Sequence, residues 1–188
     1  MPLDLLAVKD GPLDGVVMSG SAALTVLPPA SRFVLRGRPG AVEAAASAFG
    51  AALPQQACRA VTAGEGRAAL WLGPDEWLLL APPADGPALA DALERAMDGH
   101  AHSLVDASQR QVGIEVSGPD AAAALNAGCP LDLDVSAFPV GMCTRTVLAK
   151  AEIVLWRTAA TVFRVEVWRS FAAYSWAFLA EASREFRD

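Results

Sequence analysis

Cysteine, histidine and charge are all scarce in this chain. Three cysteines, Cys58, Cys129 and Cys143, leave one unpaired and show no Cys-x-x-Cys spacing. That pattern argues against a disulfide framework and for a reducing compartment, so a cytoplasmic location is expected. The two histidines, His100 and His102, form a His-x-His pair with no third ligand in view, and no metal site is assigned. Lys and Arg number 15 against 21 Asp and Glu, a formal net charge of −6. This is the wrong sign for a chain that neutralises phosphate backbones, so no nucleic-acid partner is expected. Apolar runs of the roughly 18 residues that span a bilayer are missing as well, because Pro, Gly or a charge interrupts each candidate. Met1-Pro2-Leu3-Asp4 lacks the basic opening of a secretory signal. No membrane partner is expected.

Motifs for cofactors and catalysis are wanting too. Gly64-Glu65-Gly66-Arg67 is too short for a phosphate loop and lacks its Lys-Ser/Thr ending, and no Gly-x-Gly-x-x-Gly follows a strand. Flavin and nicotinamide binding therefore have no local support. Ser108, His102 and Asp106 have the composition of a triad, but they crowd into seven positions, and a triad needs geometry that spacing alone does not supply. No catalytic residue is assigned.

What the chain does have is apolar surface. Of 188 residues, 53% are hydrophobic and 19% charged, against a usual charged share of about 25%. Either an alanine-rich protein buries an ordinary core, or a subunit hides part of its surface against partners. The best-marked stretch is Leu104 to Gly128. Val112, Ile114 and Val116 alternate with Gly113, Glu115 and Ser117, which predicts a half-buried strand. A helix is expected to start at Gly118-Pro119-Asp120, with Pro119 at its first position and Asp120 in its first turn, and to stop at Gly128.

Around that stretch the chain divides into an N-terminal arm, residues 1–31, and two α+β halves, 32–100 and 101–188. The arm is broken by Gly and Pro, carries Leu3, Leu5, Leu6 and Val8, and holds one candidate strand at Leu24 to Leu27. The first half reads as a strand at Arg32 to Arg36, a helix to about Leu53, a hairpin turning at Gly73-Pro74-Asp75-Glu76, and a helix from Pro87 to Met97. The second half repeats this order. Phe33 and Ile114 stand 81 positions apart and Trp71 and Trp156 stand 85 apart; a hairpin joins Ile153 to Trp156 with Phe163 to Trp168, and a last helix follows Ser170 as N-cap. Its buried stripe is expected to be Phe171, Tyr174, Phe178, Leu179, Ala182 and Phe186. The fold class is thus α+β, two strand-helix-hairpin-helix halves with mainly antiparallel sheets and helices packed on them.

On the last strand Phe163, Val165 and Val167 point to the core, leaving Arg164, Glu166 and Trp168 on the other face. Trp and Arg are enriched in interface hot spots. The interface candidates are therefore Trp156, Arg164, Trp168, Arg169 and Trp176.

Several of these stretches together resemble one family. Arg110 to Asp120, Cys129-Pro130-Leu131-Asp132-Leu133, Gly141 to Thr146 and Phe163 to Phe171 are similar to the gamma subunit of bacterial heterotetrameric sarcosine oxidase, over about the last two thirds of the chain. Asp106-Ala107-Ser108-Gln109-Arg110 with the following strand and helix more distantly resembles the folate-binding domain of glycine-cleavage aminomethyltransferases. The resemblance implies an accessory, cofactor-free chain. It would assemble with alpha, beta and delta subunits into an enzyme that oxidises sarcosine to glycine, makes hydrogen peroxide and passes a one-carbon unit to tetrahydrofolate. FAD, FMN, NAD and tetrahydrofolate are implied for the whole complex and none for this chain, which would pack against the folate-binding part of alpha. The alternative is a stand-alone folate-binding protein of the aminomethyltransferase type. The Gly141-Met142-Cys143-Thr144-Arg145 segment resembles only loosely the motif of folate-dependent iron-sulfur repair proteins, whose lysine, tyrosine and glutamine are missing here.

The purified chain alone is accordingly expected to show no flavin absorption and no sarcosine-dependent peroxide formation. Saturable oxidation by this chain by itself, in a peroxide-coupled assay, would overturn the accessory reading.

Overall fold

A computed structural model describes residues 13, 16–64 and 66–186; the apolar positions expected in the arm before residue 13 lie outside them. The first half runs β3 (Ser31–Gly37), α1 (Pro39–Phe49), β4 (Ala60–Ala63), β5 (Arg67–Gly73), β6 (Glu76–Ala81) and α2 (Gly86–Ala96). The second half runs β8 (Gln111–Ser117), α3 (Ala121–Asn126), β9 (Cys143–Leu148), β10 (Ala151–Ala159), β11 (Val162–Trp168) and α4 (Arg169–Ala182). Before each half comes a further strand segment, β1 (Val17–Met18) with β2 (Ala23–Val26), and β7 (His102–Asp106). The repeat seen in the sequence is a repeat of topology. The four strands of the first half lie in the order β4-β5-β6-β3, and those of the second in the equivalent order β9-β10-β11-β8.

The leading strands change places. β2 pairs antiparallel with β8 of the second sheet, through Leu24 opposite Val116, and β7 pairs antiparallel with β3 of the first, through Val105 opposite Val34. Residues 17–26 of the arm thus extend the second sheet, and residues 102–106 extend the first. Each half is bound to the strand that introduces the other.

Four layers result. α1 and α2 cover the outer face of the first sheet over Phe33, Leu35, Phe49, Trp77, Leu79 and Leu93. On the second sheet, α3 and α4 cover Ile114, Val116, Leu155, Phe163, Val165 and Leu179. The inner faces meet through Ala68, Leu70, Leu78 and Leu80 on one side and Cys143, Val154 and Trp156 on the other. This is why Trp77 to Ala81 is apolar without alternation: both of its faces are covered. The spacing of Trp71 and Trp156 does not mark equivalent positions, since Trp71 packs beneath the helices and Trp156 between the sheets. An offset of one residue along a strand changes the face.

Two expected boundaries and one expected face shift for identifiable reasons. α3 begins at Ala121 because Gly118 holds φ +113° and turns the chain first; Pro119 stays outside the helix and Asp120 takes the capping position. A Cβ at Gly118 would collide with the carbonyl of Ser21, so glycine is required there. Ser21 in turn donates to the Asp120 carboxylate at 2.6 Å, fastening the arm to the turn. α4 begins at Arg169, one residue before the expected cap, because β11 runs straight into it and the Arg169 N–H is already bonded to the Arg110 carbonyl at 2.7 Å. The buried stripe of α4 is also rotated. Ala172, Ser175 and Leu179 face the sheet, while Phe171 and Tyr174 are exposed. Small residues let the helix lie close to β8 and β11, and the large rings are left outside.

Between the sheets one charged group dominates. Glu166, 1% exposed, receives Arg32 Nε at 2.6 Å from the opposite sheet and Arg164 Nε at 2.7 Å from its own strand. Arg32, 2% exposed, also donates to the Ala30 carbonyl at 3.0 Å. Burial pushes the Glu166 carboxyl upward, but the Arg164 and Arg32 guanidiniums outweigh it and hold the group below its ordinary value. Removing one partner of such a buried pair costs about 3–5 kcal/mol, because the other charge is left uncompensated.

A group whose carboxyl is depressed on folding stabilises the fold above its unfolded value and loses that contribution as pH falls through the folded value. Thermal melting from about pH 6 to about pH 3 is therefore expected to show a steep acid loss in the parent chain. Glu166→Gln is expected to melt well below the parent at neutral pH, with a flatter acid limb. Equal melting temperatures at neutral pH would show that the ion pair contributes nothing.

Candidate functional site

The candidates divide by position. Trp156, Arg164 and Trp168 all lie on the inner face of the second sheet, the face that the first sheet covers. Trp156 is buried there among Leu70, Leu78 and Val154. Arg164 is half-buried and engaged with Glu166. Trp168, at the end of β11, extends past the cover and is 43% exposed. Arg169 follows it at the start of α4, and Trp176 is half-buried against the second-sheet core. The structure therefore brings Trp168 and Arg169 together and sets Trp156 and Trp176 apart from them. Phe171 and Tyr174, expected in the core, are exposed on the first turns of α4 instead, their rings edge to face with centroids 6.3 Å apart. The i, i+3 spacing of Phe171 and Tyr174 puts both on one face of α4, but which face the helix presents to the sheet depends on its neighbours.

In front of Trp168 the two sheets part to leave a cleft of about 250 Å³. The Arg110 guanidinium lies 5.2 Å from the centroid of the Trp168 ring. Gln111 is directly opposite Trp168 in the β8–β11 register, so the two side chains are neighbours on one face. Across the cleft Arg145 reaches from β9 to Glu76 of β6, and Nη1 donates at 3.1 Å. That hydrogen bond, assisted by the Arg145 charge, holds the Glu76 carboxyl below its ordinary value against the effect of burial. Of these cleft residues only Trp168 is a site candidate from the sequence; Arg110, Gln111 and Arg145 stand in stretches that carry the resemblance, and their convergence needs two sheets folded face to face.

The triad composition dissolves. His102 and Asp106 stand four residues apart on one strand, about 13 Å at the usual rise. Ser108 Oγ accepts the Arg32 N–H at 2.9 Å, and His102 Nε2 lies 3.0 Å from Glu94, whose hydrogen bond raises the imidazole above its ordinary value. Among the described residues no three His, Cys, Asp or Glu side chains are placed to hold a metal. No helix of the described residues is long and apolar enough to cross a membrane. At the β8–α3 junction the Asp120 carboxylate is bound by Ser21 Oγ rather than by the helix N–H groups, and the helix has only six residues.

The fold is shared with the glycine cleavage system aminomethyltransferase T from Bartonella henselae, at a TM-score of 0.67 and 17% identity over 86% of this chain and 46% of that one. The architecture is thus α+β with two antiparallel sheets, as the resemblance to the aminomethyltransferases implied. A profile described as "Sarcosine oxidase, gamma subunit family" matches residues 36–185. The sarcosine oxidase subunit gamma of an Arthrobacter species is 36% identical over 170 residues, covering 89% of this chain and 83% of that protein. Its counterpart from Corynebacterium sp. (strain U-96) is 33% identical over 178 residues, covering 93% and 86%. A chain of the heterotetrameric sarcosine oxidase from Corynebacterium sp. U-96, solved in complex with pyrrole 2-carboxylate, superposes at a TM-score of 0.84 with 32% identity over 94% of this chain and 91% of that one. The chain belongs to the sarcosine oxidase gamma subunit family.

Cys143, within the segment that carries part of that resemblance, is sealed between the sheets. Burial pushes its thiol up to about 12, with its hydrogen bond to the Trp71 carbonyl acting weakly the other way. Such a thiol is not a nucleophile near neutrality. Iodoacetamide at neutral pH is expected to leave Cys143 unmodified in the native chain and to label it after denaturation; labelling of Cys143 in the native chain, read by peptide mass, would show that the sheets open there.

Proposed function

We propose that this chain acts as an accessory subunit of a heterotetrameric sarcosine oxidase, contributing no catalytic residue and no cofactor of its own. It assembles with the alpha, beta and delta chains, which carry FAD, FMN, NAD and the tetrahydrofolate site. Family membership and the close likeness to a chain of a heterotetramer support assembly. The lack of a phosphate cradle at the strand–helix junction supports the placing of the nucleotide cofactors elsewhere.

The observation that carries the reading is the aromatic corner. Trp168 at the end of β11 and Phe171 and Tyr174 on α4 are 43%, 42% and 39% exposed, all within the short stretch that joins the strand to the helix. Exposed aromatic side chains concentrated at one strand–helix junction, with Arg169 between Trp168 and Phe171 in the chain, mark surface of the kind that protein partners cover. Trp156, Arg164 and Trp176, buried or half-buried within the chain, are not part of this surface.

Truncating a buried interfacial tryptophan costs about 2 kcal/mol or more, roughly a thirtyfold loss of affinity. Trp168→Ala and Phe171→Ala are therefore expected to melt near the parent when alone and to capture the alpha chain at least about tenfold more weakly in pull-down titrations. Val165→Asp, which buries an unpaired charge, is expected to unfold the chain instead. Full-strength capture of alpha by a stable Trp168→Ala, Phe171→Ala double variant would remove this corner from the interface.

A further inference from the structure

The geometry points to a binding site for a small zwitterion, of the α-amino acid class, in the cleft between the two sheets. Most of the charge there is already committed. Glu166 is held by Arg32 and Arg164, and Glu76 by Arg145. Two charges of opposite sign are left over. Arg110 has no carboxylate partner among the described residues and rests only against the face of Trp168. Glu152, exposed at the rim of the cleft, makes no hydrogen bond among the described residues and feels only the more distant charge of Arg145, which is itself bonded to Glu76.

These two flank the same ring. Gln111 is opposite Trp168 on β8, and Ile153 is opposite Val167 on β10, which puts Glu152 beside Trp168 on the other side. Adjacent strands are about 4.8 Å apart, so Gln111, Trp168 and Glu152 form a short row across three strands. The Gln111 side-chain oxygen is buried and accepts no hydrogen bond. A buried acceptor left unpaired is costly, so a ligand that brings an N–H to it gains the relief of that cost.

A molecule that answers all three groups must carry a carboxylate for Arg110 and an ammonium or N–H group for Gln111 and Glu152. It must also be small enough for about 250 Å³. An amino acid meets each condition, with its side chain against Trp168 and Val105. A simple anion would leave Gln111 and Glu152 unanswered, and a simple cation would be repelled by Arg110. The site lies wholly within this chain.

The test is calorimetric titration of the full chain with glycine and with alanine, with acetate and methylammonium as single-charge fragments. Saturable binding of the amino acids is expected, with each fragment at least about tenfold weaker. Arg110→Met and Gln111→Leu are each expected to weaken amino-acid binding by about tenfold or more at unchanged melting temperature. A site-resolved reading that needs no variant to fold in the binding assay is the indole N–H resonance of Trp168 in the parent chain, which should shift along the same titration. No saturable amino-acid binding, equal binding of acetate, or a Trp168 resonance that stays still while other signals move would each overturn the site.

Discussion

Glu166 sets the terms for the whole molecule. A carboxylate with almost no access to water must be compensated where it stands, and one of its two compensating arginines comes from the opposite sheet. The sheets can separate only by exposing Arg32 and Glu166 to each other's loss, which costs several kcal/mol on the scale of a fold stable by about 5–15. Such a pair is weak evidence of raw stability, since a well-packed apolar replacement can do as well. Its value lies in register. It fixes which residue of β3 sits under which residue of β11, and everything along the inner faces follows from that alignment.

The exchange of β2 and β7 between the halves works toward the same end. Each leading strand is hydrogen-bonded into the other half's sheet, and Ser21 fastens the arm both to Asp120 and to the Phe186 carbonyl. With the outer faces given to helices and the inner faces to each other, both faces of each sheet are largely covered, except where cover runs out. The end of β11 is such a place. There the inner face continues one residue past the opposing sheet, and the helix that follows packs on small residues and turns its rings outward. The same corner opens the cleft beside Arg110, so the surface that a partner would cover and the pocket that a small molecule would enter share Trp168.

Much of this was legible in the residues. The alternation of Val112, Ile114 and Val116, the turn at Pro74-Asp75 and the return of strand, helix and hairpin gave the α+β class and the repeat, because those are local patterns with fixed periods. The Gly118 turn was legible as a break but not as the cause of a later helix start, since the constraint is the Ser21 carbonyl on a distant segment. β4 and β9 escaped because short strands at sheet edges carry little periodic signal. α4 misled for a clearer reason: with Phe171, Tyr174 and Leu179 all apolar, either of two faces could be called hydrophobic, and only packing against β8 and β11 decides. The inner-face residues Arg164 and Glu166 were correctly set opposite the core of their own sheet. That they would be buried under a second sheet depended on Arg32, 134 positions away.

Whether the first sheet or a partner covers the inner face of β11 is open to one direct measurement. Hydrogen–deuterium exchange would be followed on the free chain and on the same chain in complex with its partner subunits. The account predicts that β11 from Phe163 to Val167 is strongly protected already in the free chain, and that assembly adds protection chiefly at residues 168–178. Fast exchange of Arg164, Val165 and Glu166 in the free chain, with protection appearing only on assembly, would contradict it, because a partner rather than the first sheet would then be the cover.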